Sequence, residues 1–492
     1  MKRYIKYIEI IYAMAFLVLL ASCSDSPDHA EQCDCMPYIY PDYIGVTVPV
    51  DIAPMNFNSS DADIQCMDVI ATGSKGGSVH TNGDYADFDV SDWHELTEQN
   101  RGGYIKFSVC VKKNDKWKQY KDFKMYVSRF SLDDYGVVYR RIAPGYEVGG
   151  DIGIYQRDIH DFDESAIFQE SAVPGECMNC HTANHCDANT FNMQIRGEHG
   201  GTLIQHEGKL DWINPKTDST VANTSYAYWH PNGKYCAFST NKINQFFFVG
   251  KKKRIEVYDP FSNVLVLNVA KNQLLLSPLL QTKDMETYPA FSPDGKSLYY
   301  CSSPYHEVPR EYEKMKYSLC RISFDAAKEI FGNKVDTLIN ARTNHKSIAF
   351  PRPSYDGRWL MYSVLDYGNF PVNHKEADLW LLDLKTGKSQ ALNEVNSNES
   401  ESFHNWCSKS HWFVFASRRE NGMYTQLFFS CIDDKGRATK PFLMPQRNPR
   451  KYYDDMMQSY NCPDFTKQKI KLDAHSAARK IMNGKPKQVT IK

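Results

Sequence analysis

A short pattern that returns through the second half of the chain restricts its fold more than any other feature. It reads "YWHPNGKYCAFST" from Tyr228, "AFSPDGKSLYYCSS" from Ala290, "PRPSYDGRWLMYSV" from Pro351 and, with Ser408-Lys409-Ser410 replacing the turn residues, "NWCSKSHWFVFASR" from Asn405. Gly233, Gly295 and Gly357 fall about sixty residues apart, a period that marks a repeat architecture. An Asn-Gly or Asp-Gly turn before an alternating apolar and aromatic run is a tight hairpin turn leading into a strand. Each unit is followed by further strand-like segments: "RIEVYDP", "YSLCRISFD", "ADLWLLDLKTG" and "TQLFFSCIDDKG". One such unit cannot cover its own apolar faces, so several must pack around a common axis.

The Ser292-Pro293-Asp294-Gly295-Lys296 unit resembles the PD40, or TolB-type, WD40-like β-propeller repeat. The resemblance implies an all-β propeller over residues 201–462, with the strands of "GTLIQHEGKLDWI" from Gly201 adding to the four recognisable units and about six blades expected in all. Residues 37–145 hold short alternating strands broken by Gly, Pro, Asn and Asp, and are expected to form a small, fibronectin-like β-sandwich. Residues 146–200 lack a sustained strand pattern and are expected to be a connector with one or two short helices. Within the tail, 463–492, the run "KLDAHSAARKIMNG" has helical spacing and ends at Gly484.

Residues 1–23 combine a basic end at Lys2, Arg3 and Lys6, a short apolar run from Ile10 to Leu20 and the small residues Ala21 and Ser22, the pattern of an export signal. The Leu20-Ala21-Ser22-Cys23 ending resembles a bacterial lipobox, which implies lipidation of Cys23 and a polar tether over 24–36. The absence of an aspartate directly after Cys23 favours the outer membrane within that resemblance. A net charge of −1 over 492 residues gives no basic face for nucleic acid. Fourteen cysteines in an exported chain permit disulfides, but setting aside Cys23, Cys177 and Cys180 leaves an odd number, so at least one stays free.

The stretch "GECMNCHTAN" carries Cys177-x-x-Cys180-His181, the attachment pattern of a single covalent haem c. Two thiols a helical turn apart add across the vinyl groups, and the histidine reaches the iron. His185 would share the face of His181 on a helix, so the sixth ligand is expected later in the chain: Met193 first, His199 second, with His206 and His230 behind them. Arg196 is a candidate for pairing with a propionate. His230 also occupies the turn position that Ser292 holds in the next repeat. Cys33-Asp34-Cys35, the acidic group Asp84, Asp87, Asp89 and Asp92, and the basic run Lys251, Lys252, Lys253 and Arg254 read as tether, solvated loop and strand-edge charges.

Together these features point to an envelope-anchored lipoprotein carrying a c-type haem in electron transfer or redox sensing, while the propeller docks envelope proteins. Three alternatives remain: a TolB-like interaction scaffold without a redox role, an accessory of cytochrome c maturation, and a propeller enzyme using the haem as electron acceptor. No catalytic residue stands out, and neither a nucleophile elbow nor a phosphate-cradling glycine loop is present.

Overall fold

The computed structural model of the chain describes residues 27–143, 152–220, 222–249, 253 and 255–492. The export signal, Cys23, Lys251, Lys252 and Arg254 lie outside them. None of the helices among the described residues is long and apolar enough to cross a membrane.

The repeats form the expected hairpins, and each opens an antiparallel sheet whose strands follow one another in chain order. We label the innermost strands of the six sheets β1 (Cys177–Asn184), β2 (Thr224–Trp229), β3 (Met285–Phe291), β4 (Ser347–Pro353), β5 (Glu401–Trp406) and β6 (Ser459–Thr466). Strands β1 to β5 each begin a four-strand meander. β6 instead closes a sheet started much earlier, pairing antiparallel with Gly136–Ile142, beyond which lie Gly153–Asp158 and Glu164–Gln169. Successive inner strands touch from β1 through β6, and β6 touches β1. Side chains on both faces of these strands are buried, as packing between neighbouring sheets requires: every residue of β2 and β3 is covered.

The turn chemistry explains the repeat. In the sheet opened by β3, Ser292 Oγ donates to Asp294 Oδ1 at 2.6 Å and accepts from Ser297 N at 3.0 Å; Ser354 repeats this with Asp356 and Trp359 in the sheet opened by β4. Gly233, Gly295 and Gly357 take φ of +71°, +71° and +75°, a region that costs side chains energy. Ser410, with φ +66°, adopts the same conformation in the degenerate repeat, where Cys407 Sγ accepts from Trp412 N. His230 is a turn residue of this kind: its Nδ1 accepts from Asn232 N at 3.2 Å, while Nε2 lies 3.0 Å from Gly295 O in the neighbouring sheet.

Three expectations change. Of the 146–200 stretch, expected as a helical connector, the described residues 152–200 hold four strands, Gly153–Asp158, Glu164–Gln169, β1 and Asp187–Arg196, that contribute to two sheets; their helical content is a 3-10 turn at Glu170–Ala172. Its buried positions include polar residues, such as Arg157, Asn192 and Gln194, which break the alternation a strand normally displays. Arg157 is satisfied internally, donating to Gln446 Oε1 and to the carbonyls of Asp161 and Pro445. The sheet array accordingly runs from Gly136 to Thr466 rather than over 201–462. Residues 37–135 supply six strands of a seven-stranded mixed sheet and a two-stranded ribbon, not a two-sheet sandwich, and Gly136–Ile142 belongs to the sheet closed by β6. Helix α1 (Val90–Gln99) packs on that sheet, capped by Asp89 and anchored by Trp93, which stacks on Phe88 at 5.4 Å. The tether also takes part: Glu31–Gln32 pairs with Lys116–Gln119, and Cys33 and Cys35 form a disulfide.

The N-terminal sheet shares a core with the sheet opened by β5, the sixth in chain order when the sheet begun at Gly136 is counted first. Tyr43 Oη donates to Leu443 O, Asn56 Nδ2 to Arg447 O and Trp412 Nε1 to Phe130 O across the junction. In the tail, helix α2 (Ala474–Asn483) matches expectation, and Lys487–Gln488 and Thr490–Ile491 extend the outer edges of two sheets.

The turn at Gly295 gives a direct test. A Cβ there would lie 2.3 Å from His230 Nε2, whereas one at Gly357 meets nothing within 4 Å. Gly357→Ala should cost about 1–2 kcal/mol from backbone strain alone, and Gly295→Ala about 3 kcal/mol or more because His230 must also move. Urea denaturation of the two variants measures the difference.

Candidate functional site

The haem-type motif lies on β1, not on a helix. Cys177 and Cys180 therefore sit on extended chain rather than one helical turn apart. A bulge between Met178 and His181 interrupts the pairing with Asp187–Arg196. Cys180 and His181 are 8% and 6% exposed. Burial, then the charge of Arg140, pushes His181 down to about 4, so its ring is neutral; backbone of Val138 and Asn179 lies near it, but neither ring nitrogen makes a well-formed hydrogen bond.

Every inner strand is interrupted in the same way. The two residues inside each bulge are Asn179-Cys180, Tyr226-Ala227, Tyr288-Pro289, Phe350-Pro351, Phe403-His404 and Cys462-Pro463. In the last five the first residue has φ near +50°, an uncommon conformation for a bulky side chain. This turns side chains into the space between the sheets. Tyr226 lies 4.4 Å from Tyr288, Tyr288 4.0 Å from Phe350 and Phe350 5.1 Å from Phe403, all between ring centroids. Cys180 belongs to the same cluster.

Toward the C-terminal ends of the inner strands lies a cavity of about 30 Å³ whose walls include His181, Thr182, Arg352, His404, Cys462 and Asp464. That is room for about one water molecule, whereas a cofactor pocket needs roughly 300–1,000 Å³. Met193 stands directly across from His181 on the next strand, so both project from one face of the sheet and cannot take opposite sides of an iron; Met193 packs in an apolar cluster with Met178 and Leu203. His199 Nδ1 lies 2.9 Å from Glu176 Oε1, and Arg196 pairs in register with Cys177 and donates to Ser225 Oγ at 3.3 Å. The residues present therefore do not fit a haem at this motif as folded. Among the described residues, no three His, Cys, Asp or Glu side chains converge as a metal site. The acidic group is dispersed, with Asp89 capping α1 and Asp87 accepting from Asn56. Lys253 pairs with Glu256 at 2.6 Å.

The structure brings together residues that sequence reasoning missed: Arg352, His404, Cys462 and Asp464. Asp464 on β6 is the pivot. Its Oδ2 accepts from Ala183 N at 2.8 Å and Thr182 Oγ1 at 3.1 Å on β1, and its Oδ1 accepts from Asn405 Nδ2 at 2.8 Å on β5. Burial pushes its carboxyl up to about 6, opposed by the Ala183 and Thr182 hydrogen bonds. Burial also pushes His404 down to about 3. A signal for β6 exists: "CPDF" at 462–465 matches "YPAF" at 288–291 and "FPRP" at 350–353, but without the Asp-Gly turn that follows the others.

No family model and no curated protein matches the chain. Among solved structures, it is similar to a chimera of apocarotenoid oxygenase and RPE65 at 9% identity and TM-score 0.39, covering 90% of this chain and 99% of that one. It is similar to an apocarotenoid oxygenase variant from Synechocystis at 9% identity and TM-score 0.38, covering 86% and 97%. Prolyl oligopeptidase B from Galerina marginata matches at 10% identity and TM-score 0.34, covering 62% of this chain and 44% of that one. Likenesses this loose carry no argument about activity.

Asp464→Ala removes the acceptor from the buried Ala183 N–H and Thr182 hydroxyl and from the partly buried Asn405 amide, and should cost about 3–5 kcal/mol in urea unfolding. Because the folded carboxyl binds its proton more tightly than the unfolded one, its contribution to stability falls as pH rises from about 4 to about 6 and is level above that. Asp464→Asn should remove that slope from the stability–pH curve, measured against the parent.

Proposed function

We propose that the chain is a six-bladed β-propeller whose first blade is completed by its C-terminal inner strand, and that it serves as a docking scaffold for envelope proteins. In this reading Cys177, Cys180 and His181 are strand residues of the second blade. The observation that carries it is the filled centre: Tyr226, Tyr288, Phe350 and Phe403 pack against one another where a propeller would otherwise hold a ligand, leaving the faces and rim for recognition. The N-terminal sheet, fixed to the sixth blade through a shared core, adds to that surface. The Met1–Cys23 segment supports export and lipid anchoring, with the outer membrane as the destination its sequence favours. The PD40 resemblance of residues 292–296 agrees with a partner-binding role.

A second reading, a c-type haem protein in electron transfer or redox sensing, is favoured by the Cys-x-x-Cys-His pattern itself. It requires β1 to leave its sheet, because the cavity beside His181 holds only about 30 Å³.

Absorption separates the two. Protein isolated from cells with a working haem-attachment system should show no reducible c-type band surviving acid–acetone extraction. A band that survives contradicts the scaffold reading and replaces it with the second.

A further inference from the structure

The motif raises a question that the scaffold reading leaves open: what Cys180 does in the centre of the fold. Its cluster is aromatic on the side of β2, β3, β4 and β5. The remaining arc is formed by β6 and β1, and each places a cysteine in its bulge, Cys462 and Cys180. The two strands are fastened side by side just beyond the bulges, where Asp464 accepts from Ala183 N at 2.8 Å and from Thr182 Oγ1 at 3.1 Å. Stepping back along both strands from that tie makes Cys180 a neighbour of Cys462, and both are free thiols in this structure.

We propose that Cys180 and Cys462 form a disulfide that locks the closing strand β6 to β1. The proposal rests on the scaffold reading, in which Cys180 carries no haem, and on export of the chain to an oxidising compartment. Two thiols lose two protons and two electrons; the electrons pass to the disulfide of an exchange partner, which becomes a dithiol. Cys177 is the wrong partner for Cys180. Cys177 lies before the bulge, in register with Arg196, whereas Cys180 packs in the central cluster.

The environment also dictates when the bond forms. Loss of water around Cys462, then the neighbouring Cys180, pushes its thiol up to about 12, and so high a value leaves almost no reactive thiolate in the closed fold. Oxidation therefore belongs to the stage at which β6 is docking and both sulfurs still meet solvent.

Native protein from the exporting cell, alkylated without reduction, digested and examined by mass spectrometry, tests this. The expected product is a Cys180 peptide joined to a Cys462 peptide, with Cys177 alkylated. Alkylation of both Cys180 and Cys462, or a link from either to any other cysteine, overturns the proposal while leaving the scaffold reading standing. Haem on Cys177 and Cys180 overturns both. As a second readout, reductant should lower the unfolding midpoint of the parent by more than that of Cys462→Ser, in which only the Cys33–Cys35 disulfide is left to reduce; equal responses in the two proteins would also overturn it.

Discussion

The Asp464 carboxylate is the fastening on which the rest of the architecture depends. A circuit of sheets built from consecutive hairpins has one weak joint, where the end of the array must meet its beginning. Here that joint is made by β6, which supplies the inner strand of a sheet whose other strands were laid down about three hundred residues earlier. Main-chain pairing to Gly136–Ile142 holds one side of β6, and Asp464 holds both of its neighbours, β1 through Ala183 and Thr182 and β5 through Asn405. A buried charge with only partial compensation is costly, but three donors arranged around it make its loss costlier still. Closure fixes the spacing of all six inner strands, and that spacing leaves the centre to side chains.

The centre in turn decides the meaning of the Cys-x-x-Cys-His segment. The chemistry that makes this pattern informative presumes a helical turn and an open face above it. A strand between two sheets offers neither. His181 is neutral and enclosed, Met193 stands beside it rather than opposite, and the space next to His181 is of the size of a water molecule. The same three residues can serve different chemistry according to the backbone that carries them, and here the backbone is set by pairing to Asp187–Arg196 on one side and by Asp464 on the other.

Much of the sheet array was legible in the sequence, because its turns are chemically explicit: Ser-x-Asp-Gly closes a hairpin with side-chain hydrogen bonds that other residues make less well. His230 was read as a turn residue from its place in the repeat, and the turn is what it forms. Legibility failed where polar residues are buried. The strands from Gly153 to Arg196 carry Gln156, Arg157, Asn192 and Gln194 inside, each needing an internal partner that only the tertiary structure supplies, so no alternation marks them. Helix α1 was missed because ten residues between strand-like runs give little periodicity, although Asp89 as a cap and Trp93, Leu96 and Thr97 at helical spacing were present. Closure by β6 was missed because "CPDF" lacks the turn that identifies its counterparts. Sequence spacing found Cys180 and His181; it could not find Asp464 and Cys462, which reach them only through closure.

Backbone hydrogen exchange at residues 180–183 tests the central claim most directly. If β1 is an inner strand tied to β6, these amides, and Ala183 N–H above all, should exchange only as fast as the whole fold opens and at the same rate as the amides of β6. Exchange orders of magnitude faster than in β6, as expected of a loop or of an exposed cofactor-binding turn, would contradict it.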